Sequence, residues 1–291
     1  MFSIACRENG ISSLKHFERE IVKHTDRNNG FTGKLMSSFE SNDFFTRSWS
    51  LYDLITEHNY MFHREIYAKI ADLLGMRKDH NRYKLLDLGC GNARFLAPCL
   101  MQSPPAQYEG VDLSESALEE ARGYLAGLSC PVLLKQGDLL EAVESTDMKW
   151  DVIFTGFAVH HLTPEEKARF FRAAGRCLPD SGWLLMADVV REKDQSREEY
   201  LEGYLRFMRE FWNRIPQDEL EAACAHVETC DYPEDLATLK EMAKASGLHA
   251  SHVASQYERH FTILFSRKTL QQWGAIDQAA KSNKKSHKGF E

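Results

Sequence analysis

The sequence predicts an α/β protein built on a doubly wound, mostly parallel sheet of seven strands that ends in an antiparallel hairpin. Three observations lead there. From Lys84 to Val190, short apolar runs alternate with helical patterns, which implies parallel strands joined by right-handed crossovers. Two further apolar runs, 248–256 and 259–267, are separated by too few residues for a crossover and should pair as a hairpin. The first run, Leu85-Leu86-Asp87-Leu88, stops at Gly89-Cys90-Gly91-Asn92 and gives way to a helical pattern. That arrangement of buried strand, glycine turn and helix N-terminus suits a nucleotide-like ligand.

Composition bounds the rest. At 291 residues and 43% hydrophobic, the chain can bury one sizeable core and carry additions to it. The formal charge of -7 disfavours a nucleic-acid partner, which would need a concentrated excess of Lys and Arg. The basic cluster, Lys281 to Lys288, falls in a polar stretch without apolar periodicity and reads as a solvated tail. Cys6, Cys90, Cys99, Cys130, Cys177, Cys224 and Cys230 show no Cys-x-x-Cys pairing, and no signal segment or membrane span is visible. Free thiols in a cytoplasmic setting are therefore expected. Cys224, His226 and Cys230 lack a fourth partner, so no metal site is expected from them.

Taken in order, residues 1–76 read as an N-terminal helical segment or lid. It holds an amphipathic pattern over Ile11 to His24, a polar loop at Asp26 to Gly30, and an aromatic-rich helical run from Asp43 that ends near Gly75. Residues 77–268 form the main domain. Its strands are expected at 84–88, 107–112, 131–135, 150–155 and 182–190, followed by the hairpin. Ser114 and Thr163-Pro164 mark helix starts, and Ser103-Pro104-Pro105 a helix end. Residues 191–232 read as a helical insert, with Tyr200, Tyr204, Phe207, Met208, Phe211 and Trp212 forming a broad apolar stripe. Residues 269–291 are the tail.

Which ligand the turn holds is narrowed by four positions. A dinucleotide fingerprint would place a third glycine where Arg94 stands. Asp87 precedes the turn, and Asp112 ends the second strand, where a carboxylate can accept from both ribose hydroxyls. Asp138 ends the third strand, beside an expected adenine amino group.

These residues resemble the class I S-adenosylmethionine-dependent methyltransferases, of the small-molecule type. The resemblance covers about 84–191 and is carried by Leu86-Asp-Leu-Gly-Cys-Gly91, Gly110-Val-Asp-Leu-Ser114, Gly137-Asp-Leu139 and Asp151-Val-Ile-Phe-Thr-Gly-Phe-Ala-Val-His-His-Leu162. It implies a Rossmann-like fold and S-adenosylmethionine as cofactor. It further implies that the backbone of Gly89, Cys90 and Gly91 lies against the methionine part, with Asp87 near its ammonium. Asp112 would bind the ribose, Leu113 and Leu139 would flank the adenine, and Asp138 would accept from its amino group. Thr155, Gly156 and Phe157 would line the sulfonium side.

Methyl transfer needs a nucleophile in line behind an activated carbon, so a general base is optional. Candidates for one are His160, His161, Tyr60 and His63, the last two read as sharing a helix face. Tyr52, Tyr60, Tyr200, Tyr204 and Trp212 are candidates for a substrate cage, with core packing the alternative for each. The expected function is transfer of a methyl group to a nitrogen, oxygen or sulfur of a small molecule, with a protein substrate also open. An NAD(P)-dependent dehydrogenase and a non-catalytic cofactor-binding protein are the competing readings. Oligomeric state and acceptor are not readable.

Overall fold

The structure is a computed structural model that describes residues 51–77 and 82–268. The expectations for Ile11 to His24, for 43–50 and for the tail from 269 lie outside the described residues. Strands β1 (Lys84–Leu88), β2 (Gln107–Asp112), β3 (Val132–Gln136), β4 (Val152–Gly156), β5 (Trp183–Val189), β6 (Ala250–Tyr257) and β7 (His260–Ser266) form one sheet in the order β3-β2-β1-β4-β5-β7-β6. β1 to β5 are parallel, and β7 runs antiparallel to both β5 and β6. The order reverses between β1 and β4, so a crevice opens beyond their carboxyl ends.

Beyond a helical segment at 51–57, the described residues hold eight α-helices in chain order: α1 (His63–Gly75), α2 (Leu96–Gln102), α3 (Glu115–Leu125), α4 (Leu139–Ser145), α5 (Pro164–Cys177), α6 (Arg197–Phe211), α7 (Gln217–Cys230) and α8 (Leu236–Ala245). Side chains alternate across the pleat, so successive residues of β4 serve different cores. Ile153 joins Leu86, Leu88, Leu184, Phe170 and Phe171 under α4, α5 and α8, while Val152 and Phe154 join Leu85, Leu185, Ile66 and Ile70 under α1 and α2. A third core joins α6 and α7 to Leu51, Ile55 and Val189 of β5 through Tyr200, Leu201, Tyr204, Met208 and Trp212.

Polar side chains fix where the helices start. Ser114 accepts from Ala117 N at 3.2 Å, and Thr163 and Ser196 each form a reciprocal capping box with the glutamate three residues on. Asn59 and Phe62 take φ of 56° and 57°, a left-handed conformation that separates a helical segment at 51–57 from α1. Tyr60 therefore lies in the connecting turn, and the expected shared helix face of Tyr60 and His63 does not exist.

Cysteine usage needs one correction. Cys90, Cys99, Cys130, Cys177 and Cys224 are free thiols, whereas Cys230 is disulfide-bonded, so the expectation of free thiols throughout fails at Cys230. No helix among the described residues is long and apolar enough to cross a membrane.

Candidate functional site

The glycine turn is bound to the strand beside it. Gly89 N and Cys90 N both donate to Val111 O, at 2.9 and 3.0 Å. Gly89 has φ 73°, and a Cβ there would lie 2.6 Å from the Ala158 Cβ, so both conformation and space exclude a side chain. Asp112 completes the turn. Its Oδ2 accepts from Gly91 N at 2.8 Å and its Oδ1 from Ser114 N at 2.9 Å. Burial raises the Asp112 pKa, and the donated amides offset part of that rise.

Asp87 differs from Asp112 in how its oxygens are used. Its Oδ2 accepts from the Tyr108 hydroxyl at 2.7 Å, but its buried Oδ1 has no hydrogen-bond partner. Burial pushes its pKa up to about 7, with the Tyr108 bond opposing and Asp112 adding to the rise. Asp87, Gly89, Cys90 and Gly156 line one cleft, together with Tyr52, Tyr67 and Arg94. Arg94, which stands where a dinucleotide site has glycine, reaches out of the turn to Asp53 at 2.7 Å and to the Thr56 hydroxyl. It thereby fastens the 51–57 segment over the cleft.

The remaining expected cofactor residues sit on the same rim of the sheet in different environments. Leu113 is half-buried after β2, and its carbonyl accepts from Gln136 Nε2 at 3.1 Å. Asp138 caps α4, its Oδ1 accepting from Leu140 N and Glu141 N at 2.9 and 3.0 Å. Leu139 is buried in the core cluster that holds Leu88 and Val111. At the end of β4, Thr155 is buried with its hydroxyl unpartnered, Gly156 lies against the Tyr67 hydroxyl, and Phe157 takes a left-handed φ of 54°.

Beyond Phe157 the rim is aromatic and imidazole-rich. The His63 ring lies 4.9 Å from that of Phe157, its Nε2 is 3.2 Å from the Tyr52 hydroxyl, and its buried Nδ1 has no partner. Burial holds the His63 pKa well below the usual histidine value. His260, the first residue of β7, is fully buried, with its Nε2 3.3 Å from the Tyr204 hydroxyl. Only Glu258 and Arg259 are left to form the turn. Burial lowers His260 to about 4.

His160 and His161 sit in a short 3-10 helix after β4. The Nδ1 of His160 is bonded to Asp188 Oδ1, and its backbone N donates to Asp188 Oδ2 at 3.0 Å. Its Nε2 lies 3.7 Å from Asp231 Oδ1, and His161 Nδ1 lies 3.3 Å from the same oxygen. Burial alone would depress His160, but the two carboxylates outweigh it and its pKa is raised. Burial would likewise raise Asp231, yet the surrounding imidazoles bring it down to about 2. His161 is lowered, first by burial and then by the neighbouring His160.

The candidate cage residues separate. Tyr60 stacks on Trp212 with ring centroids 5.4 Å apart, and its hydroxyl accepts from Arg214 N at 3.0 Å, which makes it a link between insert and turn. Tyr200 is wholly buried in the insert core with its hydroxyl unpartnered. Tyr204 and Trp212 instead line a small cavity with His160, His161, His226 and Asp231, and Tyr52 lines the glycine-turn cleft. The sequence reading missed Asp188, Asp231, His260, Tyr67 and Tyr108. Asp188 stands at the end of a strand as Asp112 does, and that shared position was a readable signal. Asp231 and His260 are placed by tertiary packing and carried none.

Known proteins fit this geometry. Residues 85–182 match the family model for a methyltransferase domain. A carboxy-S-adenosyl-L-methionine synthase of Campylobacter hominis is 25% identical over 148 residues, 50% of this chain and 61% of that protein. A phosphoethanolamine N-methyltransferase of Plasmodium falciparum is 22% identical over 169 residues, 57% of this chain and 61% of that protein. The alignments thus span under two thirds of the length of either relative. An O-methyltransferase family protein from Burkholderia thailandensis superposes with a TM-score of 0.56 at 16% identity, over 89% of this chain and 70% of its own. Residues 85–182 thus match a methyltransferase domain, and the fold is shared with an O-methyltransferase family protein.

Proposed function

We propose that the chain transfers a methyl group from S-adenosylmethionine to a nitrogen, oxygen or sulfur of a small molecule. The observation that carries the cofactor part is the buried Asp87 Oδ1, a carboxylate oxygen without a donor in a cleft whose floor is a glycine that tolerates no side chain. Such an oxygen costs free energy until a donor reaches it, and the ammonium of a bound amino acid supplies one. The glycine turn then accommodates the methionine backbone. Asp112 keeps acceptor capacity for the ribose hydroxyls beyond its two amide bonds. Leu113 and Leu139 flank the adenine, Asp138 accepts from its amino group, and Thr155, Gly156 and Phe157 face the sulfonium. When bound, the cofactor supplies a methyl carbon made electrophilic by positive sulfur.

The protein's own part is to hold the nucleophile in line and exclude water. Alignment contributes up to about 7–11 kcal/mol of barrier lowering, whereas a base adds ~10²–10⁴-fold. Tyr52 and His63 are the polar pair nearest the rim beside Phe157, and we assign them the positioning of the acceptor. His63 is held neutral, so its bare Nδ1 can accept a hydrogen bond from an amine or hydroxyl. We give the 51–57 segment, α1 and the insert the role of a lid over both ligands.

Incubating the protein with methyl-labelled S-adenosylmethionine and a fractionated metabolite extract tests this. Label should enter a low-molecular-weight fraction. Label confined to protein would point to a protein acceptor instead, and binding without any transfer would favour a non-catalytic cofactor-binding role.

A further inference from the structure

We propose that His160, His161 and Asp231 form a binding site for a divalent first-row transition metal such as zinc, with one coordination position open toward the small cavity they line. One nitrogen from each histidine and one Asp231 oxygen lie within 4.8 Å of one another. Asp231 Oδ1 stands 3.3 Å from His161 Nδ1 and 3.7 Å from His160 Nε2. Ligands at about 2.0–2.1 Å from a tetrahedral metal are separated by roughly 3.3 Å, so the donor atoms are already close to ligating positions.

Two further observations point to an occupant. Asp231 Oδ1 is buried without a hydrogen-bond partner, and the Asp231 side chain is only 5% exposed. The imidazole nitrogens face that oxygen at 3.3 and 3.7 Å without bonding it, and His161 Nδ1 lies 3.3 Å from Cys230 O, so the carboxylate oxygen keeps its capacity for a metal. In addition, the three groups line a cavity of about 30 Å³ with Met61, Tyr204 and Trp212. A single water-sized occupant needs roughly 10–15 Å³, so an ion with one further ligand fits.

The surroundings have the form of a supporting shell. Asp188 accepts at His160 Nδ1, which turns Nε2 toward Asp231 as a ligand. Tyr232 N donates to His160 O at 2.7 Å, tying the segment that carries Asp231 to the segment that carries the histidines. Buried Lys167 spans the same two segments, donating to Leu162 O at 2.6 Å and to Tyr232 O. Both ligand-bearing pieces of backbone are therefore held before any metal arrives.

Two imidazoles and one carboxylate suit zinc, iron, cobalt or nickel better than magnesium or calcium, which prefer oxygen donors. The site also lies near the chemistry. His160 follows Gly156 by four residues, which span at most about 14 Å of chain. A metal there would hold an acceptor oxygen or nitrogen at the rim, a role that rests on the methyltransferase reading, whereas metal binding itself does not.

The test uses tag-free, chelator-treated full-length protein titrated calorimetrically with zinc, and with magnesium in parallel. One equivalent of zinc should bind, with no magnesium response. Affinity should fall ~10–100-fold in Asp188→Asn and further in Asp231→Asn and His160→Gln. His249→Ala, at an exposed histidine, should leave affinity unchanged. Cobalt substitution should give the strong visible absorption of a four- or five-coordinate ion, a readout on the unaltered chain that decides the matter even where a variant does not fold. No stoichiometric zinc, undiminished binding in Asp231→Asn, or only the weak spectrum of six-coordinate cobalt would each overturn the site. S-adenosylhomocysteine binding is measured on the same metal-free sample, so loss of the cofactor reading would show separately.

Discussion

Replacing Asp112 by alanine removes the acceptor of two backbone amides at once, Gly91 N at 2.8 Å and Ser114 N at 2.9 Å. A hydrogen bond to a charged acceptor contributes about 1.5–3 kcal/mol, and the amides left behind are buried. Against this, the carboxylate is 3% exposed and its raised pKa shows that its ionisation is penalised by burial, so removing it relieves part of the cost. The net loss of folding stability should be roughly 2–4 kcal/mol. At ~2–4 °C per kcal/mol for a chain of this size, Tm should fall by about 4–16 °C. Differential scanning calorimetry with and without S-adenosylhomocysteine separates the effects. The variant should melt lower without ligand and gain much less from ligand than the parent. An unchanged Tm would refute the hydrogen-bond argument, and an unchanged ligand-induced shift would refute the ribose assignment.

Further predictions concern charge and the segment above the cleft. Asp87, with its pKa raised to about 7, is protonated below that value. Because its folded pKa lies above the unfolded one near 3.8, its contribution to stability falls as pH rises from about 4 to 7. Cofactor affinity runs the other way, since the ammonium needs the carboxylate. Calorimetry should show S-adenosylhomocysteine binding strengthen from pH 6 to 8 in the parent, and the slope should vanish in Asp87→Asn. His260 is held at about 4, below the ordinary 6.5, so its contribution to stability is complete above 6.5 and is lost as pH falls toward 4. The drop in Tm between pH 7 and pH 5 should therefore be smaller in His260→Gln, and an equal drop would remove His260 from the account. Arg94→Ala breaks a pair whose side chains are 27% and 58% exposed, so stability should change by no more than about 1 kcal/mol. Hydrogen exchange should nonetheless accelerate in 51–57, and unchanged protection there would show that the Arg94 bonds do not fasten the segment.

The sheet was readable because its signals are local. Alternating apolar runs set the strands, Ser114 and Thr163 set helix starts, and the paucity of residues between the last two strands set the hairpin. The three strand-end aspartates were readable for the same reason, each standing at the end of a recognisable run. What stayed hidden depends on contacts far apart in sequence. Asp231 meets His160 across 71 positions only because the end of α7 is bonded to the 3-10 helix through Tyr232 N and Cys230 O, and no spacing rule reports that. The cysteines near His226 drew attention as ligands, yet Cys230 is disulfide-bonded and Cys224 is core, while His226 sits 5.5 Å from the His161 ring. Tyr60 and His63 failed as a pair because the left-handed Asn59 and Phe62 interrupt a pattern that periodicity reads as continuous.

Asp87 is proposed above to organise the cleft at the glycine turn as a cofactor site. Titrating S-adenosylhomocysteine into the parent protein and into Asp87→Asn at pH 8 tests that most directly. One equivalent should bind the parent, with affinity at least tenfold weaker in the variant and no heat from NAD in either. An absence of binding to the parent, or equal binding to both, would contradict it.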